Sequence, residues 1–170
     1  MASAHIRKSI EGAIDYLSQH PEEARYSDSP ATAVIDGLRS TVEGTSGESL
    51  ATDMPKSVGG GDSAPSPGWL LRAAIASCDA TLIAMRAAQE GMELSTLEVT
   101  VDSESDDRGI LGMEESVPAG PLSARIRVKI AADGVSAEKL HEVVKWADRH
   151  CPVSDALQRA VPTTVEVHVL

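Results

Sequence analysis

The chain contains two cysteines, and their settings in the sequence differ. Cys78 lies in AIASCDATLIAM (residues 74–85), whereas Cys151 lies in HCPVSDAL (residues 150–157). Pro152 follows Cys151 directly, so the backbone leaves its helical path there and the thiol stands at a corner. The separation of 73 residues excludes a local CxxC motif, so any pairing of the two thiols depends on the fold.

The residues around Cys78 alone fit a small, inert side chain in an apolar core. A structural disulfide is disfavoured, because the cytosol keeps thiols reduced. If the two cysteines pair, the pairing is therefore catalytic or redox-sensing.

Composition excludes several classes of partner. The 170 residues carry a formal net charge of -11, which argues against nucleic-acid binding, since that requires clustered Lys and Arg. The N-terminus has no apolar signal region, and no run approaches the roughly 18 apolar residues of a membrane span. We therefore expect a cytoplasmic protein that binds neither nucleic acid nor membrane.

Periodicity and turn residues predict an α+β fold with a helical extension at residues 1–20 and a main domain at residues 21–170. The segment Trp69–Gly91 is apolar around most of its circumference, which predicts a buried, central helix. The other predicted helices are Ser3–Gln19 and Ser136–His150. The predicted strands are Pro30–Gly37, Arg39–Gly44, residues 48–54, Leu97–Ser105, Leu122–Asp133 and Thr163–Leu170.

Two motifs in order resemble those of the OsmC/Ohr family of thiol-dependent hydroperoxide reductases. A Gly/Pro-rich loop runs into WLLRAAIASC on the long helix, and a second helix ends in CPVSDAL. The resemblance covers roughly Pro30 to Leu170. It implies a curved antiparallel sheet around the long cysteine-bearing helix, and an intertwined homodimer.

The resemblance also implies a chemistry. Cys78 would attack an organic hydroperoxide and become a sulfenic acid, and Cys151 would condense with it to a disulfide. An external dithiol of the lipoyl type would then reduce the pair, and no bound cofactor is expected.

The family holds the thiolate with an arginine from the loop between the first two strands, and Arg39 stands where that arginine is expected. Two alternatives remain open: Arg39 is a solvated charge at a strand edge, or Arg72 serves instead. The family's glutamate before the helix is absent, since the chain reads Pro67-Gly68 there. The carboxylates that would substitute for it are Asp62 and Glu48, whereas Asp79 beside the cysteine would oppose a thiolate.

Other interpretations have less support. The loop GGGDSAPSPG lacks the GK[ST] ending of a phosphate-binding P-loop. His141, His150 and Cys151 have no second cluster to complete a metal site, so no metal is expected. Side chains predicted to line an apolar pocket are Trp69, Leu70, Leu111, Met113 and Trp146.

Two alternative functions remain: an OsmC-fold module that binds a small ligand or senses oxidation without turnover, and a structural protein with two inert thiols. A further hypothesis is that the N-terminal helix packs across the dimer.

Overall fold

The computed structural model describes residues 2–159 and 161–170 and confirms an α+β fold. The helices are α1 (Ala2–Gln19), α2 (Pro67–Gln89), α3 (Asp107–Ile110), α4 (Ala137–His150) and α5 (Pro152–Gln158). The strands are β1 (Ala31–Asp36), β2 (Arg39–Gly44), β3 (Ser49–Thr52), β4 (Leu94–Glu104) and β5 (Ser123–Ala132). Two short 3₁₀ turns cover Pro21–Ala24 and Lys56–Val58.

The strands form two separate antiparallel sheets, β1-β2-β3 and β4-β5. The chain also divides into two compact units, one of residues Ser9–Ala74 and one of Met1–Lys8 with Ile75–Leu170. They are called here the first and the second unit. The predicted domain boundary at residues 20 and 21 stays a prediction.

The first unit is built on the sheet β1-β2-β3. Asp36 pairs with Arg39 across a two-residue turn, and Gly37 adopts a φ of 59°, the left-handed conformation that such a turn requires. All six residues of β1 are exposed, including Val34 and Ile35. Arg39 is therefore fixed at the end of a hairpin.

The second unit contains the core. Ile83 and Ala87 of α2 pack with three residues of α4, and Met92 completes the cluster; the α4 residues are Leu140, Val143 and Ala147. The inner face of β4-β5 covers this cluster, because alternate residues of the two strands point inward. Burying a side chain such as Ile83 or Val143 contributes roughly 1.5–3 kcal/mol, so the packing of these two residues holds α2 against α4.

The prediction that α2 is buried around most of its circumference is wrong for the single chain. Its buried residues are Ile75, Asp79, Ile83, Ala87 and Ala88. From Leu71 onward the other residues of α2 are mostly half-buried, and only Ala74, Ser77 and Thr81 are exposed. By length and composition α2 could also cross a membrane, but the core helix of a soluble protein passes the same test.

The C-terminal segment also departs from prediction. Thr163–Leu170 alternates as a strand should, but it pairs with no strand among the described residues. Val165, Val167 and Val169 are between 77% and 91% exposed. Alternating apolar and polar residues favour an extended segment, but a β-strand pairs only where a neighbouring strand offers unpaired backbone N–H and C=O groups.

Candidate functional site

The cysteine pair is positioned by α2 and by the corner between α4 and α5. Cys78 is partly exposed on α2, whereas Cys151 has no exposed surface. Cys151 ends α4 and begins α5, with an extended φ and ψ of -75° and 112°. Pro152 occupies the first turn of α5, where its missing N–H costs nothing.

The structure brings the two thiols together. Both cysteines are free, and Cys78 lies close enough to Cys151 for its side chain to help raise the pKa of the Cys151 thiol. The Cys151 Sγ accepts a hydrogen bond from the backbone N–H of Ser154 at 3.5 Å. Two thiols 73 positions apart in the sequence are thus neighbours within the second unit.

Burial and hydrogen bonding hold Cys151 in its protonated form. Burial, and then the hydrogen bond to the carboxylate of Asp79, raises the pKa of the Cys151 thiol to about 11. Asp79 is itself only 4% exposed, and burial raises the pKa of its carboxyl group, with a smaller contribution from the negative charge of Asp148. That Asp79 opposes a thiolate at Cys78 stays a prediction, and its carboxyl group also lies near the Cys151 thiol.

Arg39 lies in the first unit, where its partner is Ser63. Its Nη1 donates a hydrogen bond to Ser63 Oγ at 2.6 Å, and Ser63 Oγ donates to Asp53 Oδ2 at 2.7 Å. The side chains of Arg39, Ser63 and Asp53 therefore form a continuous hydrogen-bonded chain. Glu48 accepts a hydrogen bond from the backbone of Ser46 instead, and Asp62 is exposed.

Asp53 is the buried anchor of this chain. It is 3% exposed and accepts backbone N–H groups from Met54, Gly61 and Ser63. These bonds, and above all the Ser63 hydroxyl, lower the pKa of the Asp53 carboxyl group to about 2. Sequence reasoning missed Asp53; the signal was an acidic residue shortly before a run of three glycines.

The glycine-rich loop folds around that carboxylate. A side chain at Gly60 would overlap the carbonyl oxygen of Met54, so this position requires glycine. Asp62 follows with a φ of 54° and donates its N–H to the same carbonyl. The loop thus directs its N–H groups at an internal anion, as such loops do elsewhere for a bound phosphate.

Gly68, which stands in place of the family's glutamate, lies in the first turn of α2. Ser66 Oγ accepts a hydrogen bond from the backbone N–H of Trp69 and so caps the helix. Gly68 is exposed on the first turn. Trp69 and Arg72 line a cavity of about 390 Å³ together with Asp53 and Asp62.

The remaining predicted pocket residues lie in different settings. Trp146 stacks on His150 with the ring centres 4.1 Å apart, and the guanidinium of Arg86 lies 4.9 Å from the Trp146 ring centre. Leu111 and Met113 are 58% and 70% exposed. The nitrogen Nδ1 of His150 lies 2.7 Å from the Trp146 carbonyl oxygen.

A group of side chains with metal-ligand spacing lies elsewhere in the described part of the chain. His20, Glu22 and Glu23 place one ligand atom each within 4.8 Å of one another. Both glutamates are exposed, and exposed acidic groups of this kind are common without an ion.

Comparison with known proteins identifies the family. The family model described as OsmC-like protein matches residues 59–166, more than half of the chain, and no curated protein matches. Solved structures agree in fold. The organic hydroperoxide resistance protein OsmC of Legionella pneumophila aligns over 79% of this chain and 91% of its own, at 21% identity and a TM-score of 0.58.

Two further structures give a similar result. The OsmC like protein of Mycoplasma pneumoniae covers 80% of this chain and 91% of its own, with 17% identity and a TM-score of 0.66. The organic hydroperoxide resistance protein OhrB of Bacillus subtilis covers 79% of this chain and 93% of its own, with 19% identity and a TM-score of 0.52. Identities this low show a shared fold alone, but the family match extends across α2, Cys78 and Cys151, and the chain belongs to the OsmC-like protein family.

Proposed function

We propose that this protein reduces organic hydroperoxides with Cys78 and Cys151. The observation that carries the proposal is the proximity of the two thiols, one half-buried and the other fully buried. The names of two structural relatives, both organic hydroperoxide resistance proteins, support the substrate class.

The reaction has three balanced steps. The Cys78 thiolate attacks the O–O bond, gives the alcohol RO–H after protonation, and becomes a sulfenic acid. The Cys151 thiol then displaces that hydroxyl, so an S–S bond forms and water leaves. A dithiol finally exchanges with the disulfide and is oxidised in turn.

Burial divides the two roles. Cys78 is partly exposed, so a substrate can reach its sulfur. Cys151 is fully buried, and with a pKa of about 11 it is held as a thiol at neutral pH. A protonated, inaccessible thiol is a poor first nucleophile, which leaves Cys151 the resolving role.

Arg39 supplies the cation for the Cys78 thiolate in this proposal. The Ser63–Asp53 pair holds its guanidinium, and thereby does the work of the glutamate that Gly68 replaces. Because a guanidinium held by fixed hydrogen bonds loses less freedom on binding, this support favours an ordered cation.

The proposal includes a lipoyl-type dithiol as reductant, a cytoplasmic location and a homodimer. Support for the dimer comes from apolar side chains that the single chain leaves exposed on β1, α2 and the C-terminal segment. Large exposed apolar surfaces of this kind mark interaction sites.

The alternative is an oxidation-sensing module with the same disulfide but little turnover. The observation that favours it is the high pKa of Cys151, which disfavours rapid resolution. Sustained consumption of substrate with excess dithiol distinguishes the enzyme from a sensor that reacts once.

The experiment treats reduced protein with one equivalent of cumene hydroperoxide and maps the peptides by mass. We expect a Cys78–Cys151 disulfide in the wild type, a trapped sulfenic acid at Cys78 in Cys151→Ser, and no reaction in Cys78→Ser. Arg39→Gln should slow the oxidation of Cys78 by roughly 10- to 100-fold, about 1.4–2.7 kcal/mol of transition-state stabilisation. Two free thiols after treatment of the wild type would refute the proposal.

A further inference from the structure

Three polar side chains are buried together where α2 meets the corner between α4 and α5. Asp79, Cys151 and Ser154 are 4%, 0% and 3% exposed. The side chains of Asp79 and Cys78 both lie close enough to the Cys151 thiol to raise its pKa. The carboxyl group of Asp79 is therefore a neighbour of one of the two sulfur atoms that must join.

This cluster has unused hydrogen-bonding capacity. Asp79 Oδ1 and Ser154 Oγ are buried without a well-aligned hydrogen-bond partner, although the two side chains lie close enough to interact. An unsatisfied buried polar group costs free energy, and those that persist commonly have a functional reason. A carboxylate with a free lone pair beside a thiol is arranged to accept a proton.

We propose that Asp79 is the general base of disulfide formation and takes the proton of Cys151 as that sulfur attacks Cys78. This inference rests on the proposed function, because it concerns the second of its three steps. Asp79 is a catalytic residue in this scheme, since it contacts a reacting atom.

Atoms and charges balance through the carboxylate. The S–H bond of Cys151 breaks and its proton moves to Asp79, while the Cys151 sulfur forms the S–S bond and the S–O bond of the Cys78 sulfenic acid breaks. The departing hydroxide then receives the proton from Asp79 and leaves as water. Asp79 is restored as a carboxylate, and no further oxidant is needed.

The setting of Cys151 favours such a base. A pKa of about 11 keeps the Cys151 side chain protonated at pH 7, so a neighbouring group that accepts its proton assists the attack. Burial raises the pKa of Asp79 and thus brings the two proton affinities closer. The other groups that face Asp79 are Asp148, Lys145 and Ser154.

A cavity lies beside Asp79. It has a volume of about 270 Å³ and is lined by Asp79, Ile83 and Val128, with Lys145 and Asp148. Because the space far exceeds that of one water molecule and includes charged groups, it can hold water beside the carboxylate.

The test starts the resolving step without a hydroperoxide. Cys78 is first labelled as a mixed disulfide with 5-thio-2-nitrobenzoate, and attack by Cys151 then releases the yellow thiolate. Release is followed by absorbance in the wild type, in Asp79→Asn and in Asp155→Asn. The last is the matched control, because it removes an exposed carboxylate of α5 that is paired with Arg159. Cys151→Ser gives the background rate.

We expect Asp79→Asn to slow release by roughly 100-fold at pH 7, the lower range for loss of a general base, and Asp155→Asn to stay within twofold of the wild type. Release in Asp79→Asn should then rise tenfold per pH unit, following the thiolate fraction, whereas the wild-type rate should level off once Asp79 is ionised. The pH profile of the wild type tests the inference by itself, even if Asp79→Asn does not fold.

A wild-type rate that rises tenfold per unit from pH 7 to 9, or an Asp79→Asn rate within twofold of the wild type, would overturn the inference. Failure of the proposed function looks different: cumene hydroperoxide would leave Cys78 unoxidised, while release from the labelled protein would still depend on Asp79.

Discussion

Cys78 and Cys151 carry the same functional group, and their surroundings give them different chemistry. Cys78 has accessible surface, whereas Cys151 has none and has a pKa of about 11. In the proposed reaction the first property admits a substrate and the second prevents a competing attack on it. At this scale, the proposal assigns the order of the steps to burial rather than to residue type.

Asp53 shows the opposite effect of burial. Its carboxylate is buried but surrounded by N–H and O–H donors, so hydrogen bonding outweighs desolvation and the pKa falls to about 2. A buried carboxylate without such donors, as at Asp79, has its pKa raised. The two residues therefore respond differently to acid.

Acid stability tests the role of Asp53. Because its folded pKa lies below the unfolded value of 3.8, its contribution is fully present above about pH 4 and is lost as pH falls through about 2. We expect Asp53→Asn to unfold more easily at pH 7. Its free energy of unfolding should also depend less on pH between pH 4 and pH 2, by up to about one bound proton. Ser63→Ala removes the hydroxyl that lowers the Asp53 pKa most, so its stability and its pH dependence should lie between those of the wild type and Asp53→Asn.

The measurement is the urea midpoint at each pH, followed by circular dichroism. Asp155→Asn serves as the control, because its exposed carboxylate is paired only with Arg159 on the same helix. Equal pH dependence of the wild type and Asp53→Asn across this window would contradict the assignment.

At the scale of secondary structure, the corner between α4 and α5 positions Cys151, the resolving thiol of the proposed reaction. Cys151 is the C-cap of α4 and the N-cap of α5, and Pro152 fixes the turn. Its Sγ accepts from Ser154 N–H, a role in which sulfur is weaker than oxygen. The atom that caps α5 is thus the one to which the proposed function assigns the resolving step.

Two substitutions separate these roles. In Cys151→Ser the hydroxyl can accept from Ser154 and donate to Asp79, so we expect the free energy of unfolding to change by less than about 1 kcal/mol. In Cys151→Val both bonds are lost and Asp79 is left buried without its donor, so we expect a loss of about 2 kcal/mol. Urea unfolding of the two variants under reducing conditions measures this difference. If Cys151→Val is as stable as Cys151→Ser, the thiol has no structural role at the corner.

The sequence predicts features that depend on neighbouring residues better than features that depend on residues far apart in the chain. The helices carrying the cysteines follow from local periodicity, and the meeting of their thiols was expected from family resemblance. The chain from Arg39 through Ser63 to Asp53 was not predicted, because it spans 24 residues and depends on a loop that closes around one carboxylate. Likewise, no local pattern indicates that Asp79 faces Cys151 rather than the neighbouring Cys78.

At the scale of the whole molecule, the single chain leaves apolar surface uncovered. Val165, Val167 and Val169 alternate with Glu166 and His168, the pattern of a strand with one apolar face. All three valines are highly exposed, and the segment has no strand partner in the part of the chain that the structure describes. In the proposed homodimer, a second copy of the chain covers this apolar face.

The oligomeric state is therefore the test at this scale. Light scattering should give about twice the chain mass of 17.8 kDa for the wild type. Val167→Asp should shift the molecule toward a monomer, because it adds a charge to the face that burial in an interface would have to desolvate. His168→Asp, which adds the same side chain on the opposite face, should remain a dimer. A monomeric wild type would contradict the proposed homodimer, and dimers in all three proteins would place the interface away from the C-terminal segment.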